Sequence, residues 1–117
     1  MTDLTFKKLR AVNYLRQQRW LTGGVDTWTP SDWGLAMAGE AGEACNAIKK
    51  LNRLRGKIAS NNNPRTEARA IRDVGDELAD VIVYADLLAQ RLGIDLEEAV
   101  VRKFNAISKR EAFPERL

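Results

Sequence analysis

The chain has 117 residues, 44% apolar and 30% charged, with 19 Lys and Arg against 16 Asp and Glu. This is enough for one globular domain over residues 1–117 and does not fit a disordered chain. Histidine is absent and cysteine occurs once, at Cys45, which excludes a Ser-His-Asp triad, a Cys-His pair, an HExxH zinc site, a carboxylate–ExxH di-iron bundle and an internal disulfide. Any chemistry must come from carboxylates, Lys or Arg, hydroxyls or a hard metal. No run approaches roughly 18 apolar residues and no signal-peptide apolar region opens the chain, so a cytoplasmic location away from membranes is expected.

A first helix is expected from about Leu4 to Leu21, capped by Thr5 or Asp3, with Phe6, Leu9, Val12 (or Asn13) and Leu15 at helical spacing. Thr22-Gly23-Gly24 ends it, and Val25 to Pro30 reads as an irregular loop carrying Trp28. Ser31 is the expected N-cap of a second helix reaching about Leu54, with Asp32 in its first turn. Gly56 and the Ser60–Pro64 stretch then read as a surface loop. A third helix from near Thr66 should be the spine, with Ile71, Val74, Leu78, Val81, Ile82, Ala85, Leu88, Ala89 and Leu92 as one broad apolar stripe. Gly93 suits its C-terminal cap. Asp95 caps a fourth helix that turns Leu96, Ala99, Val100 and Phe104 inward and fades near Lys109. The fold class implied is all-α, a compact bundle of four to five helices.

Two short acidic motifs stand on these helices. Glu40 and Glu43 are three apart on the second, as are Glu77 and Asp80 on the third, so each pair projects from one side of its helix. Asp73 and Tyr84 join the second pair at about 100° per residue. Ala36, Gly39, Gly42 and Ala47 around the first pair suggest a requirement for space, since each interior glycine weakens a helix by about 1 kcal/mol. Carboxylates facing one cleft about 5 Å apart would repel by roughly 3 kcal/mol per pair at an effective dielectric near 20. A hard cation with oxygen ligands removes that cost, and Mg²⁺ fits best because it keeps waters and is completed by substrate phosphates.

The succession Gly39-Glu40-Ala41-Gly42-Glu43 continuing to Lys50, Asp76-Glu77-Leu78-Ala79-Asp80 continuing to Tyr84, Leu92-Gly93-Ile94-Asp95 continuing to Val100, and Lys103-Phe104-Asn105 resembles the MazG-like nucleoside triphosphate pyrophosphohydrolases. These form part of the all-α NTP pyrophosphatase superfamily, with dCTP pyrophosphatases and dimeric dUTPases, and the resemblance spans about residues 28–110. It implies that Glu40, Glu43, Glu77 and Asp80 bind Mg²⁺, with Mn²⁺ as a substitute. It also implies that water attacks the α-phosphorus of a nucleoside triphosphate, giving monophosphate and pyrophosphate. Glu43 is the expected base, with Glu40 beside it in the catalytic pair; Lys103 and Asn105 are phosphate or sugar candidates, and Tyr84 is placed for the nucleoside. A homo-dimer or homo-tetramer is implied as well. Two departures stand out: Gly39 replaces a Glu that many members carry, and the Arg55–Arg65 loop lengthens the stretch between the motifs.

Trp28 and Trp33 flank the turn into the second helix and could stack on a base or pack structurally. Trp20 reads as core or interface and Cys45 as a small buried residue. Lys49, Lys50, Arg53, Arg55 and Lys57, with Arg65, Arg69 and Arg72, read as a solvated face that draws anionic nucleotide toward the acidic cleft. No aromatic interleaves with that run and no nucleic-acid signature accompanies it, so nucleic acid is not the expected partner. The rival reading is a non-catalytic basic helical module that binds nucleic acid or a protein.

Overall fold

The computed structural model describes residues 3–57 and 66–117, and their fold is all-α: four helices and a 3₁₀ turn, with no strand among the described residues. The helices are α1 (Phe6–Trp20), α2 (Pro30–Arg55), α3 (Glu67–Arg91) and α4 (Leu96–Arg110), and the 3₁₀ turn covers Gly24–Thr27. None of these helices is long and apolar enough to cross a membrane.

Local chemistry sets most helix ends. The Thr5 hydroxyl accepts from Lys8 N–H at 3.0 Å, and Asp95 accepts from Glu98 N–H at 3.0 Å, so both act as N-caps. Thr66 caps α3 in the same way, its hydroxyl accepting from Arg69 N–H at 3.2 Å. Gly93, at φ 67°, closes α3 in a Schellman turn: its N–H donates to Gln90 O and that of Ile94 to Ala89 O. At the start of α2 the expectation fails. The helix begins at Pro30, so Ser31 is already inside it; proline's missing N–H and fixed φ suit a first helical position. The expected surface loop at Ser60–Pro64 lies outside the described residues.

The chain divides into two compact units, Ser31–Ala85 and Met1–Pro30 with Asp86–Leu117. In the first, α2 and α3 run antiparallel. Trp33 and Tyr84 meet at one end, ring centroids 6.2 Å apart, and Arg55 Nε donates to Glu67 Oε1 at 2.8 Å at the other. Between these ties Trp33, Met37, Glu40, Ala44, Ala47 and Leu51 recur at alternating spacings of four and three, as do Ala70, Val74, Glu77, Val81 and Tyr84. That spacing keeps one line of side chains facing a partner helix. Trp33, Ala44, Ala47, Leu51 and Ala70 are buried on it.

This seam corrects the expected spine. Ile71, Leu78 and Ile82 lie to one side of it and are about half exposed, at 47%, 51% and 52%. Trp33, only 1% exposed, is a core residue and not a base contact. Cys45 is exposed, since α2 turns it off the buried line. Among the described residues none takes up the space left by Gly39 and Gly42, because a Cβ at either would meet nothing within 4 Å.

The second unit has a polar heart. α1 buries Asn13, the alternative to Val12 in the expected stripe, together with Gln17, and leaves Val12, Leu15 and Trp20 exposed. Asp86, 2% exposed, is the reason: its Oδ2 accepts from Asn13 Nδ2 at 2.9 Å and from Gln90 Nε2 at 2.8 Å. A buried carboxylate needs donors, so the amide face of α1 turns inward. Gln90 also donates to Arg10 O, and the Arg10 guanidinium to Ile94 O. On α4 Val100 and Phe104 are not buried, at 36% and 44% exposed, while Ser108 is. Trp20, at 67% exposed, is not core within this chain, and Arg16 lies over its ring at 5.2 Å.

Candidate metal centre

Glu40 and Glu77 occupy positions in the α2–α3 seam that a hydrophobic residue would ordinarily fill. Glu40 falls on the line of Trp33, Ala44, Ala47 and Leu51, and Glu77 on that of Ala70 and Val81, so helical register alone drives both carboxylates toward the partner helix. Asp80, three residues after Glu77, flanks the line and stays exposed. One carboxylate oxygen each from Glu40, Glu77 and Asp80 lies within 4.8 Å of the other two. Partial burial, then the charges of Asp80, Glu77 and Glu43, raise the Glu40 carboxyl above the ordinary carboxylate range. Three hard oxygen donors that repel one another suit a divalent cation of the Mg²⁺ type, and they leave positions open for water and phosphate oxygens.

Glu43 is one turn further along α2, outside that group and exposed. It borders a cavity of ≈ 170 Å³ lined by Glu43, Asn46, Ala47 and Lys50 from α2 and by Ala70, Asp73, Asp76 and Glu77 from α3. Two facing alanines, Ala47 and Ala70, leave the room. Lys50 brings a cation to four carboxylates, and Arg69 pairs with Asp73 at 3.1 Å. The acidic motifs single out Glu43 and Glu77 and the basic run contains Lys50, but neither joins the three at one cavity. The spacing of 43, 47 and 50 along one side of α2 is the signal that could have found it.

Tyr84 is half-buried against Trp33. Trp28, Lys103 and Asn105 belong to the other unit. Trp28 is half-buried at the end of the 3₁₀ turn, and Lys103 is exposed. Asn105 uses both ends of its carboxamide on the chain itself: Oδ1 accepts from Leu117 N–H at 2.9 Å and Nδ2 donates to Leu117 O at 3.2 Å.

A protein-family model, described as the MazG-like family, matches residues 49–115, more than half of the chain. The chain belongs to the MazG-like family. Membership supports a nucleotide pyrophosphohydrolase kind of enzyme, typically metal-dependent, on a helical bundle. The MazG-like match takes in Glu77, Asp80, Tyr84, Lys103 and Asn105 and starts after Glu40 and Glu43. The seam register is therefore what connects Glu40 to the family's portion of the chain. No curated protein matches this member in a whole-sequence comparison.

Proposed function

We propose that the protein hydrolyses nucleoside triphosphates to monophosphate and pyrophosphate in a Mg²⁺-dependent reaction, as a homo-dimer or homo-tetramer in the cytoplasm. The observation that carries this reading is the convergence of oxygens from Glu40, Glu77 and Asp80 within 4.8 Å of one another. These three residues would hold the ion. When bound, the ion neutralises their charge and that of the triphosphate and lowers the pKa of the attacking water.

The chain's own residues divide the remaining work. Glu43, exposed beside the group, accepts the proton of water as its oxygen bonds to the α-phosphorus. The bond from the α-phosphorus to the bridging oxygen breaks, and pyrophosphate leaves with that oxygen. Lys50, on the adjoining cavity, offers a cation to the departing phosphates. Tyr84, one turn beyond Asp80, offers a ring to the nucleoside. Lys103 and Asn105 enter as further nucleotide contacts through the family resemblance, and Trp28 through its place at the turn into α2. Self-association is supported by the exposed ridge of Ile71, Leu78 and Ile82 on α3, and Gly75 within that ridge leaves open space for another helix.

A panel of deoxynucleoside triphosphates with Mg²⁺ and a pyrophosphate readout tests the activity. Glu43→Gln should lower turnover by about 10²- to 10⁴-fold, the span of a general base, while keeping Mg²⁺-induced thermal stabilisation. Wild-type turnover in both Glu43→Gln and Asp80→Asn would sink the assignment.

A further inference from the structure

The unit that contains α1 and α4 has a cavity of its own, of ≈ 370 Å³, at the lower end of the sizes that hold small ligands. Asp86 lines it and is buried. Its two oxygens are used unequally. Oδ2 accepts from Asn13 Nδ2 at 2.9 Å and from Gln90 Nε2 at 2.8 Å, whereas Oδ1 accepts from none of the described residues. Oδ1 is not sealed off either, so it opens on the cavity. Both donors to Oδ2 are neutral carboxamides, which leaves the carboxylate hydrogen-bonded but without a counter-charge. Lys7 and Arg10 line the same cavity, yet among the described residues neither forms an ion pair with it. The Arg10 guanidinium is committed to Ile94 O. A buried charge is ordinarily met by a cation, and the open oxygen is the place left for one.

The other lining residues select the kind of cation. Lys7 and Arg10 stand against Asp86, Asp95 and Glu97, two positive charges against three negative, which leaves a deficit of one positive charge. Lys7, Asp95 and Glu97 are exposed and screened by water, so the buried Asp86 carboxylate dominates the field inside. Phe6 and the half-buried Leu96 add apolar surface. A single charge, an N–H donor and a short hydrocarbon stem satisfy all three features.

We propose that this cavity binds a small primary alkylamine, its ammonium donating to Asp86 Oδ1 and its carbon stem lying against Phe6 and Leu96. The ammonium supplies both the missing hydrogen bond and the missing counter-charge, and a charge-assisted bond in a buried setting is among the stronger ones. The site shares no residue with the group formed by Glu40, Glu77 and Asp80, and it does not depend on the hydrolytic reading.

Calorimetric titration of the full chain with n-butylamine, at fixed ionic strength and in saturating Mg²⁺, should show one site per chain. Asp86→Asn keeps the shape of the side chain and an oxygen for Asn13 and Gln90, and it should raise Kd about ten- to a hundredfold, the worth of a hydrogen bond to a charged group. Butyltrimethylammonium has the charge and the stem but no N–H, and it should bind more weakly by a similar factor. In wild type the carboxamide NMR signals of Asn13 and Gln90 should move with the calorimetric midpoint, a readout that stands even if Asp86→Asn does not fold. Nα-acetyl-lysinamide carries the same ammonium on a larger body. Equal affinity for it would extend the site to lysine side chains and weaker affinity would confine it to free amines; either keeps the ammonium on Asp86. Absence of binding, an unchanged Kd in Asp86→Asn, equal binding of butyltrimethylammonium, or carboxamide signals that stay in place would overturn the proposal. So would an affinity lost in Glu40→Gln, because the amine would then sit on the acidic centre.

Discussion

Replacing Glu40 with Gln removes one of three converging carboxylates while keeping the side chain's shape. Each of the three brings an oxygen within 4.8 Å of the other two. Unit charges at that separation repel by about 0.9 kcal/mol in water and by about 3.5 kcal/mol at an effective dielectric of 20. Asp80 is exposed and its two partners are half-buried, so solvent screening favours the lower figure. Two pairs relieved then give about 2 kcal/mol to the metal-free protein, a rise in Tm of about 6–10 °C for a domain of this size. Mg²⁺ should do the opposite: it stabilises wild type and has much less effect on Glu40→Gln. The pH dependence has a definite sign. The folded-state pKa of Glu40 is raised, so the folded protein binds this proton more tightly than the unfolded chain. Below the ordinary carboxylate range both states are protonated and nothing is lost. As pH climbs from that range through the raised pKa, metal-free wild type loses stability and then levels off, whereas Glu40→Gln lacks that loss. Thermal unfolding in EDTA and in saturating Mg²⁺, across pH, measures all of this. A metal-free Glu40→Gln no more stable than wild type, with its Mg²⁺ increment intact, would refute the reasoning.

Three further outcomes follow from particular contacts. Asn13→Ala takes a donor from the buried Asp86 carboxylate and should lower the free energy of urea unfolding by about 1–3 kcal/mol; no change would mean that the buried network is not formed. Ala112→Gly should stabilise the protein by about 0.5–1 kcal/mol, because the φ of 58° at the end of α4 costs a non-glycine residue about 1–2 kcal/mol and glycine's looser unfolded chain offsets part of the gain. If it melts at or below the wild-type temperature, the left-handed turn is not strained in solution. Leu78→Asp, on the exposed α3 ridge, should reduce the mass measured by light scattering while leaving the helical circular dichroism in place. An unchanged mass would remove that ridge as the self-association face.

Helix existence and most helix ends were legible from the chain, because they depend on neighbours within a few residues. Thr5, Thr66 and Asp95 bear the short oxygen acceptors that N-caps need, and Gly93 is the residue that tolerates a left-handed exit from α3. The two acidic motifs could be found for the same reason, since a spacing of three places a pair on one side of any helix.

Which side of each helix faces inward was decided by tertiary structure. The apolar arc of α3 is broad enough to hold both the Ala70–Val74–Val81 line that meets α2 and the Ile71–Leu78–Ile82 ridge that does not. Periodicity gives the width of such an arc but not which half is covered. On α1 the choice between Val12 and Asn13 is made by one buried carboxylate, Asp86, which outweighs the burial of Val12 and Leu15, and nothing local to α1 announces it. The acidic quartet shows the same division. The chain supplies four carboxylates at the right spacing. The antiparallel register of α2 and α3 sends Glu40 and Glu77 into the seam with Asp80 at its edge, and leaves Glu43 on the surface beside a cavity that also receives Lys50. The opening composition, without histidine and with one cysteine, restricted the chemistry to carboxylates and a hard metal. Helix packing decided which carboxylates converge, because convergence depends on register between two helices and no single helix carries that information.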